Sequence, residues 1–229
     1  MSRKFGIRWD GLEQTFEDIL KNHLKDKRDY VFLEIGFAHG ATHLAVRDII
    51  AENIESGAWL TIGLDLLNSA DVNFKQINQL FWQENDLLVN RFQGEKEIQD
   101  KLTTGNYHSI LVLRDDPRGW IKQLSDNSLD FVFIDGCHGK KCVMEDFIAI
   151  EPKVKPNGLV AFHDCGDEET GTDWQSHCNE YINVKNAIIE LGLFDKKRPG
   201  WKIFTELSGT RKINKDPNGG NSLAIFQKL

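Results

Sequence analysis

The sequence predicts a doubly wound α/β fold: a seven-stranded sheet, mostly parallel with one strand reversed, and helices on both faces. Five short apolar runs rich in β-branched and aromatic residues recur along the chain, stretches with helical spacing separate them, and two further strand-like runs follow each other without a helix. Runs that stay apolar at consecutive positions suit strands buried on both faces. Their alternation with helices calls for parallel strands.

Taken in order, GLEQTFEDILKNHLKDK (11–27) carries apolar residues at 12, 16, 19, 20 and 24 and reads as an amphipathic helix. Residues 1–28 are thus expected to form a helical extension of a single domain spanning 1–229. Strands are expected in YVFLEIG (30–36), WLTIGLD (59–65), HSILVL (108–113), LDFVFID (129–135) and GLVAFHD (158–164). Between them, ATHLAVRDIIAENIES has apolar residues at 44, 45, 49, 50 and 54, and GKKCVMEDFIAIEPKV has them at 143, 144, 147, 148 and 150. Both follow the helical period. The segment 66–107 reads as mostly helical, with Phe74, Phe81 and Trp82 on a stripe that faces the core. The runs WKIFTEL (201–207) and SLAIFQK (222–228), joined by SGTRKINKDPNGGN, read as an antiparallel hairpin and supply the reversed strand.

Composition narrows the partners. The 229 residues are 40% hydrophobic and 28% charged, ordinary globular usage. A net charge of −7, spread along the chain, argues against nucleic acid, which needs a basic face. No apolar run approaches the roughly 18 residues of a membrane helix, and MSRKFGIRWDGLEQ lacks the apolar stretch of a secretory signal. A cytoplasmic protein without a membrane partner is expected. Cys137, Cys142, Cys165 and Cys178 match no common zinc spacing and read as reduced thiols.

The end of the first strand carries the first chemical signal. Glu34 precedes Gly36, and Gly40 follows four residues later at the entry to a helix. A parallel sheet opens its ligand crevice at such strand ends. The first glycine permits a tight turn and the second a close backbone approach, although two glycines at a helix entry also serve packing alone. Asp65 ends the second strand, where a carboxylate can accept hydrogen bonds from the hydroxyls of a ribose or cap a loop. A pyrophosphate calls for helix N–H groups converging through three glycines, and only two are present here. Glu34 repels an anion and attracts a cation such as the amino group or sulfonium of S-adenosylmethionine.

With these residues the chain resembles the class I methyltransferases that use S-adenosylmethionine, and within them methyltransferase family 24. That branch has a first motif E-I-G-x-x-x-G-x-[ST], a fourth strand ending D-G-x-H, here Asp135-Gly136-Cys137-His138, and a fifth ending His-Asp, here His163-Asp164 after Pro156-Asn157-Gly158. The ordered motifs cover about residues 30–165, and the closing hairpin agrees with the family's reversed last strand. The resemblance implies a Rossmann-like class I methyltransferase fold. It further implies that Glu34, Gly36, Gly40 and Thr42 surround the methionine part of the cofactor, that Asp65 holds the ribose, and that Asp116 lies near the adenine. Asp135 belongs to the same cofactor edge.

A second constellation follows the fourth and fifth predicted strands. Asp135, His138, His163 and Asp164 fall at carboxyl ends of strands that neighbour each other in this sheet order. Carboxylate and imidazole together suit a divalent ion: oxygen-rich sets favour Mg²⁺, Ca²⁺ or Mn²⁺, and two imidazoles draw Zn²⁺, Fe²⁺ or Mn²⁺. In the related metal-dependent catechol O-methyltransferases an acid and an acid–amide pair hold the ion, and a lysine three residues beyond the first acid is the base. Asp135 and Asp164 match two ligand positions, Cys165 stands where the amide would, and His138 takes the base position; two alternatives follow, that His163 supplies the missing ligand or that no metal is bound. An imidazole with a pKa near 6.5 suits proton removal from a hydroxyl at neutral pH.

The reading is an S-adenosylmethionine-dependent methyltransferase acting on oxygen of a small hydroxylated acceptor, a sugar or natural-product scaffold, assisted by Mg²⁺ or Mn²⁺. The acidic segment with Asp167, Glu168, Glu169 and Asp173 is expected to form a loop over the acceptor. A homodimer is left open. Two alternatives remain: a nicotinamide-dependent oxidoreductase of Rossmann type, and an inactive module that binds S-adenosylmethionine.

Overall fold

In the computed structural model the described residues are 12–37, 40–55, 58–66, 86–90, 107–114, 117–165, 180–195, 197–206 and 223–229. The chain divides into two compact units, Glu13–Gln123 and Leu124–Leu229.

The amphipathic helix forms as α1, Leu12–Leu24, and buries Phe16, Leu20 and Leu24. Its His23 Nδ1 shares a 2.7 Å hydrogen bond with the hydroxyl of the buried Tyr30 on β1, Asp29–Ile35, which satisfies a polar tip in the core. Helix α2 (Ala41–Asn53) follows, then β2 (Ala58–Leu66), β3 (Asp86–Asn90), β4 (Ser109–Arg114) and the short α3 (Pro117–Ile121). The strand order in this unit is β3-β4-β2-β1, all parallel. Along β1 Tyr30, Phe32, Leu33, Glu34 and Ile35 are all buried, as the continuous apolar run requires.

Strand β3 lies inside the segment expected to be helical and corrects that expectation. Three consecutive apolar residues, Leu87, Leu88 and Val89, pair in register with Ile110, Leu111 and Val112 of β4. The described residues therefore hold the seven predicted strands and this eighth. Phe74, Phe81 and Trp82 lie outside the described residues.

The second unit holds β5 (Leu129–Ile134), α4 (Lys140–Ile150), a 3₁₀ turn (Glu151–Lys153), β6 (Val154–His163), α5 (Glu180–Glu190), β7 (Trp201–Glu206) and β8 (Leu223–Lys228). Its strand order is β5-β6-β8-β7, with β8 antiparallel to both neighbours, so the reversed strand is where the hairpin reading put it. All six residues of β5 are buried. Phe162 packs between Phe147 and Phe226 at ring separations of 5.9 and 5.8 Å, and Phe147 meets Trp201 edge-on at 5.3 Å. Helix α4 turns Val143, Phe147 and Ile150 inward but leaves Ile148 exposed. Glu151 accepts hydrogen bonds from Arg198 Nε at 2.7 Å, Arg198 Nη2 and Trp201 Nε1 at 2.9 Å, tying the start of β7 to the 3₁₀ turn. Among the described residues no helix is long and apolar enough to cross a membrane.

Candidate active site

In the first unit the parallel register decides what meets at the strand ends. Ile35 is level with Leu64, and Gly36 N–H donates to Leu64 O at 2.7 Å, so Asp65 stands beside Gly36. Asp65 is also paired with Leu113 of β4 and is partly exposed. The glycine turn and the strand-ending acid therefore meet at one edge, as their order in the sequence suggested. Gly36 and Gly40 have φ of 86° and 75°, a left-handed backbone that a Cβ disfavours. Gly40 is the N-cap of α2 and supplies no side chain to cap it, and no acid stands in the first turn, so backbone N–H groups lead the helix. Thr42 is buried in that first turn. Asp116 lies outside the described residues.

Glu34 is closed off from solvent and engaged from within. Its Oε2 lies 3.3 Å from His43 Nδ1, and His43 Nε2 is hydrogen-bonded to Ser109 Oγ of β4 at 3.1 Å. All three side chains are buried. Burial, reinforced by the Arg47 charge, lowers the His43 pKa to about 3, so the imidazole is neutral. The tautomer with hydrogen on Nδ1 faces Glu34 and leaves Nε2 to accept from the Ser109 hydroxyl. Room for this ring comes from Gly63, which is in register with Glu34: a Cβ there would stand 2.9 Å from Phe37 Cδ1 and 3.3 Å from His43 Nδ1. His43 and Ser109 were not singled out in the sequence. The available signal was a histidine inside the first turn of a helix that follows an acid-bearing buried strand.

The second unit brings all four residues of the other constellation together. Ile134 is level with Phe162, which sets Asp135 beside His163, and Asp164 follows. One donor atom from each of Asp135, His138, His163 and Asp164 lies within 4.8 Å of the others. His163 Nδ1–H donates to Asp135 Oδ1 at 2.7 Å and lies 3.3 Å from Asp164 Oδ2. His138 Nε2 is 3.5 Å from Asp135 Oδ1 and 3.7 Å from Asp164 Oδ2. Asp164 has φ 54°, a left-handed conformation that aspartate tolerates better than most residues.

These contacts set the charges. Burial alone would lower both imidazole pKa values, but the two carboxylates prevail: His163 is raised well above 6.5 by the charges of Asp135 and Asp164, and His138 is raised by its hydrogen bond to Asp135 and the charges of Asp164 and Asp135. For Asp135, burial pushes the pKa up and is outweighed by His163 and His138, leaving it below 3.8. The cluster thus stabilises positive charge. The donor chemistry and spacing fit a divalent ion, since ligands at about 2.0–2.3 Å from one ion stand roughly 3 Å apart. Cys165 is buried beside Asp164, and Asp167, Glu168, Glu169 and Asp173 lie outside the described residues.

Parallel strands joined through helices, with a glycine-turned strand end, place the fold in the doubly wound α/β class. The sequence profile of the family described as "Methyltransferase domain" matches residues 33–165, more than half the chain, and encloses every candidate residue. The chain belongs to that family and is a methyltransferase, with the fold of class I methyltransferases. Similar solved structures include an O-methyltransferase from Bacillus cereus in complex with S-adenosylhomocysteine, at 12% identity and TM-score 0.55 over 98% of this chain and 84% of that chain. S-adenosylhomocysteine-bound methyltransferase PaMTH1 from Podospora anserina matches at 13% identity and TM-score 0.55 over 97% of this chain and 83% of that one. The O-methyltransferase TomG from Streptomyces achromogenes, involved in tomaymycin synthesis and bound to S-adenosylmethionine, matches at 10% identity and TM-score 0.52 over 97% and 82%. These three likenesses carry the fold. No curated protein matches the chain by sequence.

Proposed function

We propose that this methyltransferase acts on a hydroxyl oxygen of a small molecule of sugar or natural-product type, with Asp135, His163 and Asp164 holding a divalent ion and His138 taking the acceptor's proton. The observation that carries the reading is the convergence of these four side chains within 4.8 Å at the ends of β5 and β6. Methylation of oxygen needs a proton removed, which this cluster of bases provides. Two of the structures of similar fold are O-methyltransferases.

For the methyl donor, the first unit offers the Gly36 turn, the leading N–H groups of α2, Thr42 and the hydroxyl-accepting Asp65. What bound S-adenosylmethionine supplies is an electrophilic methyl on a sulfonium, and what a bound divalent ion supplies is an acidified, oriented acceptor hydroxyl. His138 does the rest. A proton gained by its imidazole is stabilised because Nε2 faces Asp135 Oδ1 and Asp164 Oδ2 at 3.5 and 3.7 Å.

The test is transfer of labelled methyl from S-adenosylmethionine to a panel of sugars and phenols by wild type and His138→Ala. The variant should bind S-adenosylhomocysteine like wild type and turn over about 10²-fold more slowly. Equal turnover removes His138 from the mechanism, and transfer only to nitrogen or sulfur acceptors refutes the oxygen assignment.

A further inference from the structure

We infer that the cluster at the ends of β5 and β6 selects a transition-metal ion over Mg²⁺ and Ca²⁺, and that His163 is the residue that makes the choice. The inference rests on the reading of Asp135, His163 and Asp164 as metal ligands and goes on to name the class of ion.

Geometry puts nitrogen into the donor set. The two carboxylates alone form a hard, oxygen-only pair of the sort Mg²⁺ and Ca²⁺ accept. Here His163 Nδ1 stands between them, 2.7 Å from Asp135 Oδ1 and 3.3 Å from Asp164 Oδ2. An ion held by Asp135 and Asp164 would draw on the Nδ1 lone pair in place of the proton that His163 donates to Asp135 when no ion is bound. With His138 kept for the proton, the set is two carboxylates and one imidazole.

Mg²⁺ gains little from imidazole, prefers six oxygens and gives up its waters reluctantly. His163 and Asp164 are buried, with 9% and 7% of their surface exposed, so their side of the site has little room for a retained water shell. Imidazole nitrogen suits ions from Mn²⁺ to Zn²⁺, with affinity rising from Mn²⁺ through Co²⁺. Two carboxylates balance the ion's charge whichever it is, so charge does not discriminate and the nitrogen does. The position of His163 also follows from the fold: it is the last residue of β6 and pairs with Leu223 of β8, so its backbone is anchored on the sheet.

The test uses the full chain without cofactor. Binding of Co²⁺ is followed by its visible absorption, competed with Mg²⁺, and bound Mn²⁺ is examined by pulsed electron paramagnetic resonance for coupling to imidazole nitrogen. Wild type should retain Co²⁺ against about a 100-fold excess of Mg²⁺ and show nitrogen coupling with Mn²⁺. His163→Asp, which restores an all-oxygen set, should lose that coupling and lower the Co²⁺-to-Mg²⁺ preference about 10-fold or more. Displacement of Co²⁺ by equimolar Mg²⁺, absence of nitrogen coupling in wild type, or no ion bound at all overturns the inference. The wild-type measurements stand even if His163→Asp does not fold. Labelled-methyl transfer to hydroxyl acceptors, measured separately, reports on the proposed reaction, so the selection of metal fails on its own if transfer persists.

Discussion

Between pH 7 and pH 5 the chain is expected to lose about 2 kcal/mol of folding stability through His43 alone. The imidazole is fully buried, and burial together with the Arg47 charge lowers its pKa from 6.5 to about 3. In the folded chain it therefore stays neutral at pH values where an unfolded chain protonates it. The unfolded state binds the extra proton between about pH 3 and 6.5, so stability falls as pH drops through that window and is unaffected by this group above it. At about 1.4 kcal/mol per pH unit, the one and a half units from 6.5 to 5 give about 2 kcal/mol. No reduction for solvent screening applies, since no part of the ring is exposed. Urea unfolding followed by tryptophan fluorescence at pH 7, 6 and 5 measures the effect. His43→Gln is the reference, because glutamine can keep polar contacts to Glu34 and Ser109 but does not titrate. Wild type should lose about 2 kcal/mol more than the variant between pH 7 and 5. Parallel losses would mean that His43 is not held neutral, and the description of a buried Glu34–His43–Ser109 chain would fall with it.

Other perturbations separate binding from architecture. Asp65→Ala should weaken S-adenosylhomocysteine binding by about 1–3 kcal/mol in calorimetry through lost hydrogen bonds to the ribose; unchanged affinity would take Asp65 out of the cofactor site. Gly63→Val should destabilise the fold by about 1–3 kcal/mol in urea, since its Cβ would stand 2.9 Å from both Phe37 Cδ1 and Leu111 Cδ2. Glu151→Ala should lower stability by about 1–3 kcal/mol with cofactor affinity unchanged, because Arg198 and Trp201 lose the acceptor that ties the start of β7 to the 3₁₀ turn. Glu151 also has its pKa depressed, burial being outweighed by the bonds from Arg198 and Trp201, so its contribution is present above about pH 4.5 and fades as pH falls further; the difference between wild type and Glu151→Ala should shrink in acid.

What could be read from the sequence was set by where apolar runs end. YVFLEIG, LDFVFID and GLVAFHD stop at chemically distinct residues, and within each unit parallel pairing sets neighbouring strand ends side by side. That is why Asp65 beside Gly36, and Asp135 beside His163 and Asp164, were recoverable from order alone. Strand β3 was not, because Leu87-Leu88-Val89 is too short a run to outweigh the helical spacing around it, and its pairing with β4 is a tertiary fact. Helix α4 was found, but its spacing placed Ile148 with the core residues, whereas the structure leaves it exposed.

His43 and Ser109 show the complementary limit. Sixty-six residues separate them, and their hydrogen bond exists because β2 pairs with β1 on one side and β4 on the other, which carries Ser109 under the first turn of α2. Neither residue is unusual locally; a serine opening a strand and a histidine in a helix read as ordinary surface chemistry until the register is known. Once it is known, Glu34 gains a second meaning. In the sequence it was a charge for a cation in the crevice, and in the fold it is also engaged by a neutral imidazole 3.3 Å away. A carboxylate in contact with His43 on the inside has less freedom to reorient, so its oxygens keep one position. In the methyl-donor site proposed above, preorganisation of that kind would favour a ligand whose positive group arrives at one place, as in-line transfer requires.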